Sequence, residues 1–375
     1  MKLFRCDHCR HLVYFENYRC LSCDHVLAFL PDVSLVASLD ENKEDGTFTS
    51  PAPSAVGRSY RLCSNYVEHN ICNWTVPADS PFSLCVACRT THTIPDLSVP
   101  GHKGLWGRLE AAKRRLIYTL LQLKLPVEPF TENPETGLTF EFLADPPLPG
   151  APPIMTGHEN GVITLNLAEA DDAERERRRT SLHEPYRTLL GHFRHEIGHY
   201  YWDRLIRDSE SLESFRTLFG DERVDYNEAL RRHYAEGPPA DWQTHYVSAY
   251  ASAHPWEDWA ETWAHYLHMV DTLETGAACG VQITPLPEVT AVDAHDPFAL
   301  RIETWHALIH VLNNLNRSLG LGDAYPFVLP NAVLEKLRYV DQIVNRRQQL
   351  ADANETTPGD GGTASSNVAA QVTQA

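Results

Sequence analysis

The stretch "GHFRHEIGHYYWDRL", residues 191–205, carries the spacing H-E-x-x-H at His195, Glu196 and His199. Residues four apart on a helix lie on one face, one turn apart. Two imidazoles at that spacing can bind one zinc ion, and the glutamate beside them is placed to accept a proton from a zinc-bound water. The motif therefore predicts a catalytic zinc site on a helix, with an ordinary surface pair of histidines as the alternative.

A catalytic zinc site needs a third protein ligand and an open coordination position. One common continuation of the motif has glycine three and histidine six residues after the second histidine, but this chain has Trp202 and Leu205 there. The segment "HPWEDWAETWAHYLH", residues 254–268, offers Glu257 and Glu261 on one face of a second helix instead. Buried carboxylates are costly unless paired or metal-bound, so this face predicts a ligand. A solvated face with the tryptophans buried behind it is the alternative.

Eight of the nine cysteines lie within the first 88 residues. In a reducing compartment this clustering indicates metal ligation rather than disulfides. The first set, with two C-x-x-C pairs, is a strong metal-binding signal and consists of Cys6, Cys9, Cys20 and Cys23. The second set is a weaker signal because it has only one such pair, and it consists of Cys63, Cys72, Cys85 and Cys88. We expect two closed four-thiolate zinc sites with structural roles. A redox-active C-x-x-C is the alternative, and the ninth cysteine, Cys279, is expected to be a small buried residue.

The sequence pattern divides the chain into three parts and predicts an α+β fold. Residues 1–100 are expected to form a small β-rich double zinc-ribbon module. Residues 101–350 are expected to form a mostly helical domain with a short sheet. Residues 351–375 contain no Lys, Arg or aromatic residue, a composition that predicts a disordered tail.

Periodicity and punctuation predict the main elements of the second part. Leucines at helical spacing, followed by a proline, predict a helix over 105–125. Apolar segments rich in β-formers predict strands at 137–143 and 160–167. The H-E-x-x-H helix is expected to begin at Pro185, because proline favours the first helical turn, and to end near Ile206.

The formal net charge of −18 over 375 residues argues against binding to nucleic acid or to an anionic membrane. The first hundred residues contain no basic cluster, which weakens the hypothesis of a nucleic-acid-binding ribbon protein. No apolar run is long enough to span a bilayer, and the N-terminus does not look like a signal peptide. We therefore expect a cytoplasmic protein without nucleic-acid or membrane partners, whose oligomeric state the sequence leaves open.

Several long stretches together resemble one family. They are "FRCDHC", "CNW", "VACRTTHTIPDL", "LEAAKRRLIYTL", "GHENGVITLNLAEADDAERE", "EPYRTLLGHFRHEIGHYYWDRL" and "SAYASAHPWEDWAETWAHYLH". Over most of the chain except the tail, the sequence resembles bacterial zinc-binding metallopeptidases that carry an N-terminal zinc-ribbon domain. "HEIGH" followed by "EDWAE" also looks like the gluzincin arrangement of ligands. The resemblance implies a zincin-like domain over 101–350 and a peptidase, without naming a substrate.

Carried over by position, the resemblance implies a role for each residue of the two motifs. His195 and His199 are zinc ligands, Glu196 is the general base, and Glu257 is the third ligand. Glu261, one turn further on, orients a ligand histidine through a hydrogen bond. In the alternative register Glu261 is the ligand and His265 is its outer partner.

The resemblance implies two further features. Tyr250 occupies the place from which, in some gluzincins, a tyrosine stabilises the oxyanion, with a helix-packing tyrosine as the alternative. The strand at 160–167 is expected to be an edge strand that pairs with an extended substrate, with an internal core strand as the alternative.

The sequence thus predicts a zinc-dependent peptidase that holds one catalytic and two structural zinc ions and acts on a peptide or protein substrate. Zinc-bound water attacks the peptide carbonyl, and Glu196 is the general base. The alternative is a zinc-ribbon adaptor whose metallopeptidase-like domain is catalytically silent. The intact set of motif residues argues against it, since a degenerate enzyme usually loses one of them.

Overall fold

The computed structural model describes residues 2–146, 150–181, 187–282 and 295–356. It confirms the predicted α+β organisation, with a β-rich N-terminal region that contains two four-cysteine clusters, followed by a mostly helical region with a small mixed sheet. Within these ranges no helix is both long and apolar enough to cross a membrane.

The N-terminal region consists of short strands and two single-turn helices. They are β1 (Phe4–Arg5), β2 (Leu12–Val13), β3 (Val26–Leu30), β4 (Leu35–Glu41), β5 (Phe48–Thr49), β6 (Tyr60–Leu62), β7 (Thr75–Pro77), α1 (Ser64–Val67) and α2 (Val86–Arg89). The first two strands pair as a hairpin, and β3 to β7 form an antiparallel sheet in chain order. Strands β3 and β4 are mostly buried, whereas the other strands are two or three residues long, and short strands of this kind are commonly reinforced by metal sites in small domains.

The second sheet has four strands and supports the helical region. They are β8 (Thr91–Thr93), β9 (Thr139–Leu143), β10 (Gly157–Glu159) and β11 (Val162–Asn166), in the order β10-β11-β9-β8. Strand β11 is parallel to β9, which is parallel to β8, whereas β10 is antiparallel to β11.

The expectation that the strand at 160–167 is an edge strand is wrong, because β10 pairs with its outer side. Asn160 and Gly161 have φ values of 48° and 84°. Two successive residues with positive φ form the tight turn that joins antiparallel strands, and Asn-Gly is its strongest sequence signal. The chain therefore folds back here, and β10 is one of the two edge strands of the described sheet, with β8 at the other edge.

Eight longer helices complete the fold. They are α3 (His102–Gln122), α4 (Asp172–Ser181), α5 (Leu189–Leu205), α6 (Leu212–Phe219), α7 (Tyr226–Glu236), α8 (Pro255–Ala278), α9 (Pro297–Ser318) and α10 (Asn331–Thr356). Helix α10 continues six residues into the segment expected to be a tail, and the predicted disorder of 357–375 lies outside the described residues.

The H-E-x-x-H helix, α5, begins at Leu189 and not at Pro185, which lies outside the described residues. The reason is a helix cap: the side chain of Thr188 accepts a hydrogen bond of 3.0 Å from the backbone N–H of Gly191. Such a cap satisfies one of the N–H groups that the first helical turn leaves without a partner.

Helices α5 and α8 pack closely at the centre of the domain, and Gly198 makes this possible. A Cβ atom at this position would lie 3.0 Å from Cα of Ala260 and 3.2 Å from Cβ of Trp263, which is closer than packed carbon atoms normally approach. The indole N–H of Trp259 also donates to the Gly198 carbonyl, at 2.8 Å. The middle of H-E-x-x-H thus sets the distance at which α8 presents its carboxylates.

Helix α3 connects the two regions through one continuous hydrophobic core. The Tyr118 ring lies 5.4 Å from that of Phe15 and 5.8 Å from that of Phe29. The guanidinium of Arg114, on the same helix, donates to the Ile71 carbonyl at 2.6 Å. The cysteine-rich module is therefore packed against the helical domain rather than tethered to it.

Candidate metal centre

Both predicted cysteine sets come together in the fold, each with its four sulfur atoms within 4.8 Å of one another. The measured separations are 3.7 Å for Cys6–Cys23, 3.5 Å for Cys9–Cys20 and 3.8 Å for Cys72–Cys85. A tetrahedral zinc ion with Zn–S bonds of about 2.3 Å separates its sulfur ligands by about 3.8 Å. The donor sets therefore fit zinc, and all eight cysteines are free thiols.

The ninth cysteine does not behave as expected. Cys279 is exposed, so the prediction of a small buried residue is wrong. The reason is its position: it forms the C-terminal cap of α8, beyond the part of the helix that packs on the core.

The second cysteine set is the more deeply buried of the two and has a cation beside it. Its four cysteines are at most 2 % exposed, and Arg114 is 3 % exposed. Burial alone would lower the pKa of Arg114, but the neighbouring Cys72 and Glu110 raise it above its usual value. A four-thiolate zinc site carries a net charge of about −2, which is costly in a buried position. The guanidinium from α3 compensates part of that charge.

Three predicted metal ligands converge between α5 and α8. Oε2 of Glu257 lies 3.0 Å from Nε2 of His195 and 3.5 Å from Nε2 of His199. The two imidazole Nε2 atoms are 3.3 Å apart. Two helices thus direct one carboxylate oxygen and two ring nitrogens to one point.

The contacts of His195 and Glu257 show why this point suits a cation. Nδ1 of His195 lies 2.7 Å from Oε1 of Glu261, so Nε2 is the ring nitrogen that remains for a metal ion. Oε2 of Glu257 is buried and has no hydrogen-bond partner among the described residues. Electron-pair donors in such close contact repel one another unless a cation joins them, and two histidines with one carboxylate match a zinc site that keeps a fourth position open.

The same contacts separate the two possible registers of α8. Glu257 faces the Nε2 atoms, whereas Glu261 lies against the opposite nitrogen of His195. His265, the outer partner in the alternative register, is hydrogen-bonded to the Tyr325 hydroxyl at 2.6 Å. Glu261 is held from its other side by the Ser248 hydroxyl, which donates to Oε2 at 2.6 Å.

The charges of these groups are strongly coupled. Burial lowers the pKa of His195, but the neighbouring carboxylates of Glu257 and Glu261 outweigh burial and hold that pKa well above its usual value. Burial raises the pKa of Glu261, but its hydrogen bond to His195 brings it down to about 2. Glu257 has its pKa well below the usual value, because the two imidazoles outweigh its burial. Glu257 and Glu261 therefore stay ionised.

Glu196 and Tyr250 lie beside the three converging groups. Burial raises the pKa of Glu196, and its carboxylate makes no hydrogen bond or ion pair with any described residue. The Tyr250 ring lies 5.9 Å from that of His195, and burial raises the pKa of its hydroxyl well above the usual value. The Glu196 carboxylate therefore binds a proton more readily than an exposed one, and the Tyr250 hydroxyl stays protonated.

Sequence reasoning missed four residues that surround the centre. Tyr226 donates to Oε1 of Glu257 at 2.5 Å, and Ser248 donates to Glu261. The rings of Trp256 and of His158 on β10 lie 4.2 Å and 6.2 Å from the His199 ring. Tyr226 is 31 residues from its partner and carries no local signal. Asp203, one turn after His199, forms an ion pair with Arg207 rather than a hydrogen bond to that histidine.

Comparison with known proteins agrees with this geometry. Residues 102–343 match the family described as "Putative zinc-binding metallo-peptidase". The chain belongs to this family. Residues 3–99 match a zinc-ribbon domain, in agreement with the N-terminal zinc ribbon expected from the sequence. The metallopeptidase family match contains all the residues of the metal centre, and the zinc-ribbon match contains both cysteine clusters.

The similar proteins found by sequence comparison are themselves uncharacterized and give no further information on function. The chain is 44 % identical over 349 residues to the uncharacterized protein Rv2568c of Mycobacterium tuberculosis and to the uncharacterized protein Mb2598c of Mycobacterium bovis, with 92 % of this chain and 96 % of each relative covered. No solved structure matches the chain significantly.

Proposed function

We propose that this member of the metallopeptidase family is an active zinc-dependent peptidase that hydrolyses peptide bonds. The observation that carries the proposal is the convergence of His195, His199 and Glu257 on one point, with a buried carboxylate oxygen that has no hydrogen-bond partner. A zinc ion held there would supply a Lewis acid and bring the pKa of a bound water to about 7.

The chain's own residues then have distinct roles. Glu196 accepts the proton of the attacking water and returns it to the leaving amine, and burial, which raises its pKa, favours this role of proton acceptor. Glu261 fixes the ring orientation and tautomer of His195. Tyr250 donates to the oxygen on which charge develops, because its hydroxyl stays protonated beside the centre.

The substrate class is a peptide or protein in extended conformation. Strand β10 ends the sheet among the described strands, and its His158 lies beside His199. Backbone groups on a free strand edge bind an extended chain by adding a strand, largely independently of its side chains. The unpaired side of β10, rather than β11, is the site we assign to the substrate backbone.

Zinc occupancy follows from the same donor sets. We propose one zinc ion in the open site and one in each four-cysteine cluster. The catalytically silent adaptor is the weaker hypothesis, since both the metal-binding groups and the general base are in place.

Glu196→Gln tests the proposal. Zinc-loaded wild-type protein should cleave members of an unbiased library of quenched fluorescent peptides. The variant should lose activity by about 10²- to 10⁴-fold, because an amide cannot accept the proton, while elemental analysis finds the same zinc content.

Glu210→Gln is the matched control, because it neutralises a surface glutamate whose side chain is 87 % exposed, and it should keep full activity. Unchanged activity in Glu196→Gln would show that another group is the base. If zinc-loaded wild-type protein cleaves nothing in the library, the adaptor hypothesis is favoured.

A further inference from the structure

The carboxylate of Glu257 has two oxygens with different surroundings. Oε2 faces the two imidazoles, at 3.0 and 3.5 Å, whereas Oε1 accepts a hydrogen bond of 2.5 Å from the Tyr226 hydroxyl. Glu257 is only 1 % exposed, so solvent does not compete for either oxygen. The phenol is therefore the group that fixes which oxygen is turned towards the metal-binding point.

Tyr226 is held in place by the start of two helices. It is the first residue of α7, whose cap Asp225 accepts a hydrogen bond from the Glu228 N–H at 2.8 Å. Just before this cap, the backbone carbonyl of Val224 accepts a hydrogen bond of 3.0 Å from Nε2 of His254. His254 is in turn the N-terminal cap of α8. The first turns of α7 and α8 are thus tied together two residues from the tyrosine.

Ring contacts complete the support. The Tyr226 ring lies 5.2 Å edge-on from that of His254 and 5.8 Å edge-on from that of Trp256. Edge-to-face pairs of this kind favour one ring orientation. A side chain fixed at its backbone and along its ring directs its hydroxyl to a defined place.

We infer that Tyr226 is a positioning residue for the metal centre: its hydroxyl occupies Oε1 of Glu257 and so presents Oε2 alone to the ion held by His195 and His199. This inference rests on the zinc centre of the proposed function but not on hydrolysis itself. Hydrogen bonds to a ligating carboxylate typically change metal affinity by about 10- to 100-fold, and a carboxylate that uses one oxygen leaves room for the open position of a catalytic site.

Tyr226 differs from Tyr250 in what its hydroxyl contacts. Tyr250 packs its ring 5.9 Å from that of His195, whereas Tyr226 hydrogen-bonds to the ligand carboxylate itself. Loss of the Tyr226 hydroxyl should therefore weaken zinc binding. Loss of the Tyr250 hydroxyl should lower kcat and change zinc affinity much less.

The experiment measures the zinc affinity of the open site by competition with a chelator at equilibrium, with zinc counted by elemental analysis. Tyr226→Phe removes only the hydroxyl and should weaken this affinity about 10- to 100-fold, while the two cysteine sites keep their zinc and circular dichroism is unchanged. Tyr234→Phe is the control, because it removes a hydroxyl from the same helix on a residue that is 67 % exposed.

A double-mutant cycle separates positioning from a general structural role. In the Glu257→Ala background there is no carboxylate to position, so Tyr226→Phe should cause no further loss of zinc affinity. Unchanged affinity in folded Tyr226→Phe, or an equal loss with and without Glu257, would overturn the inference. These measurements need no substrate, so an absence of peptidase activity would refute the proposed function without affecting them.

Discussion

The second cysteine cluster and the histidine–glutamate centre are both buried, yet they are built in opposite ways. The cluster takes four identical donors from the 26 residues from Cys63 to Cys88, and its sulfur atoms also accept hydrogen bonds from nearby backbone N–H groups. The centre takes three donors from α5 and α8, which are up to 62 residues apart in the chain, and Glu196 and Tyr250 lie beside them.

The difference teaches what each kind of site requires. Four thiolates close the coordination sphere and need only local turns to converge, so such a site serves folding. Three mixed donors with an open side need rigid helices at a fixed distance, which the contact of Gly198 with Ala260 provides. Around the centre, Glu261 contacts His195 and is itself held by the Ser248 hydroxyl.

The largest expected effect is the loss of the cysteine-bound zinc. Purified protein should hold about three zinc ions per chain, and a mild chelator should first remove about one, ending activity while circular dichroism is unchanged. Harsher chelation should then unfold the N-terminal region, since structural zinc sites contribute on the order of 10–16 kcal/mol of binding free energy. Elemental analysis alongside activity and circular dichroism follows both steps.

Two results would contradict this distinction between structural cysteine sites and an accessible histidine–glutamate site. A plateau at one zinc ion in fresh, reduced protein would refute the double zinc ribbon. Loss of fold before loss of activity would mean that the solvent-accessible zinc is not at the histidine–glutamate centre.

A smaller effect is expected from the two α8 glutamates at the metal centre, Glu257 and Glu261. Glu261→Ala should weaken zinc binding at the open site about 10- to 100-fold, because it removes only the partner of His195 Nδ1. Glu257→Ala should weaken it far more, because it removes a metal bond. Chelator competition measures both, and equal affinities or the reverse order would reassign the third ligand to Glu261.

The smallest expected effect concerns the cation beside the second cysteine cluster. Arg114→Met should destabilise the protein by about 1–3 kcal/mol, because it leaves the Ile71 carbonyl without its donor, and should speed zinc loss from that cluster. Arg115→Met is the matched control, since Arg115 has a 42 % exposed side chain paired with Glu16. Urea unfolding and the rate of zinc release give the two readouts, and identical behaviour of the two variants would show that Arg114 does not support the cluster.

The elements with strong local signals were predictable. Helical spacing located α3 and α5 to within a few residues, and the C-x-x-C pairs located both zinc-ribbon clusters, because each depends on neighbours in the chain. The edge strand was assigned wrongly although Asn160-Gly161 carries a local hairpin signal. The start of α5 was wrong because the cap at Thr188 outweighs the preference of proline for a first turn.

By itself, the sequence determined which chemical groups are available: two imidazoles and a glutamate at H-E-x-x-H, two candidate carboxylates one turn apart, and eight thiols in two sets. Only the tertiary structure decided how they meet. Glu257 and Glu261 lie on the same face of α8, so their spacing alone cannot say which reaches the Nε2 atoms and which reaches Nδ1 of His195. That choice depends on how α5 and α8 pack, and the Tyr226 contact depends on where α7 begins. Contacts between residues distant in the chain follow from packing geometry, which local periodicity does not encode.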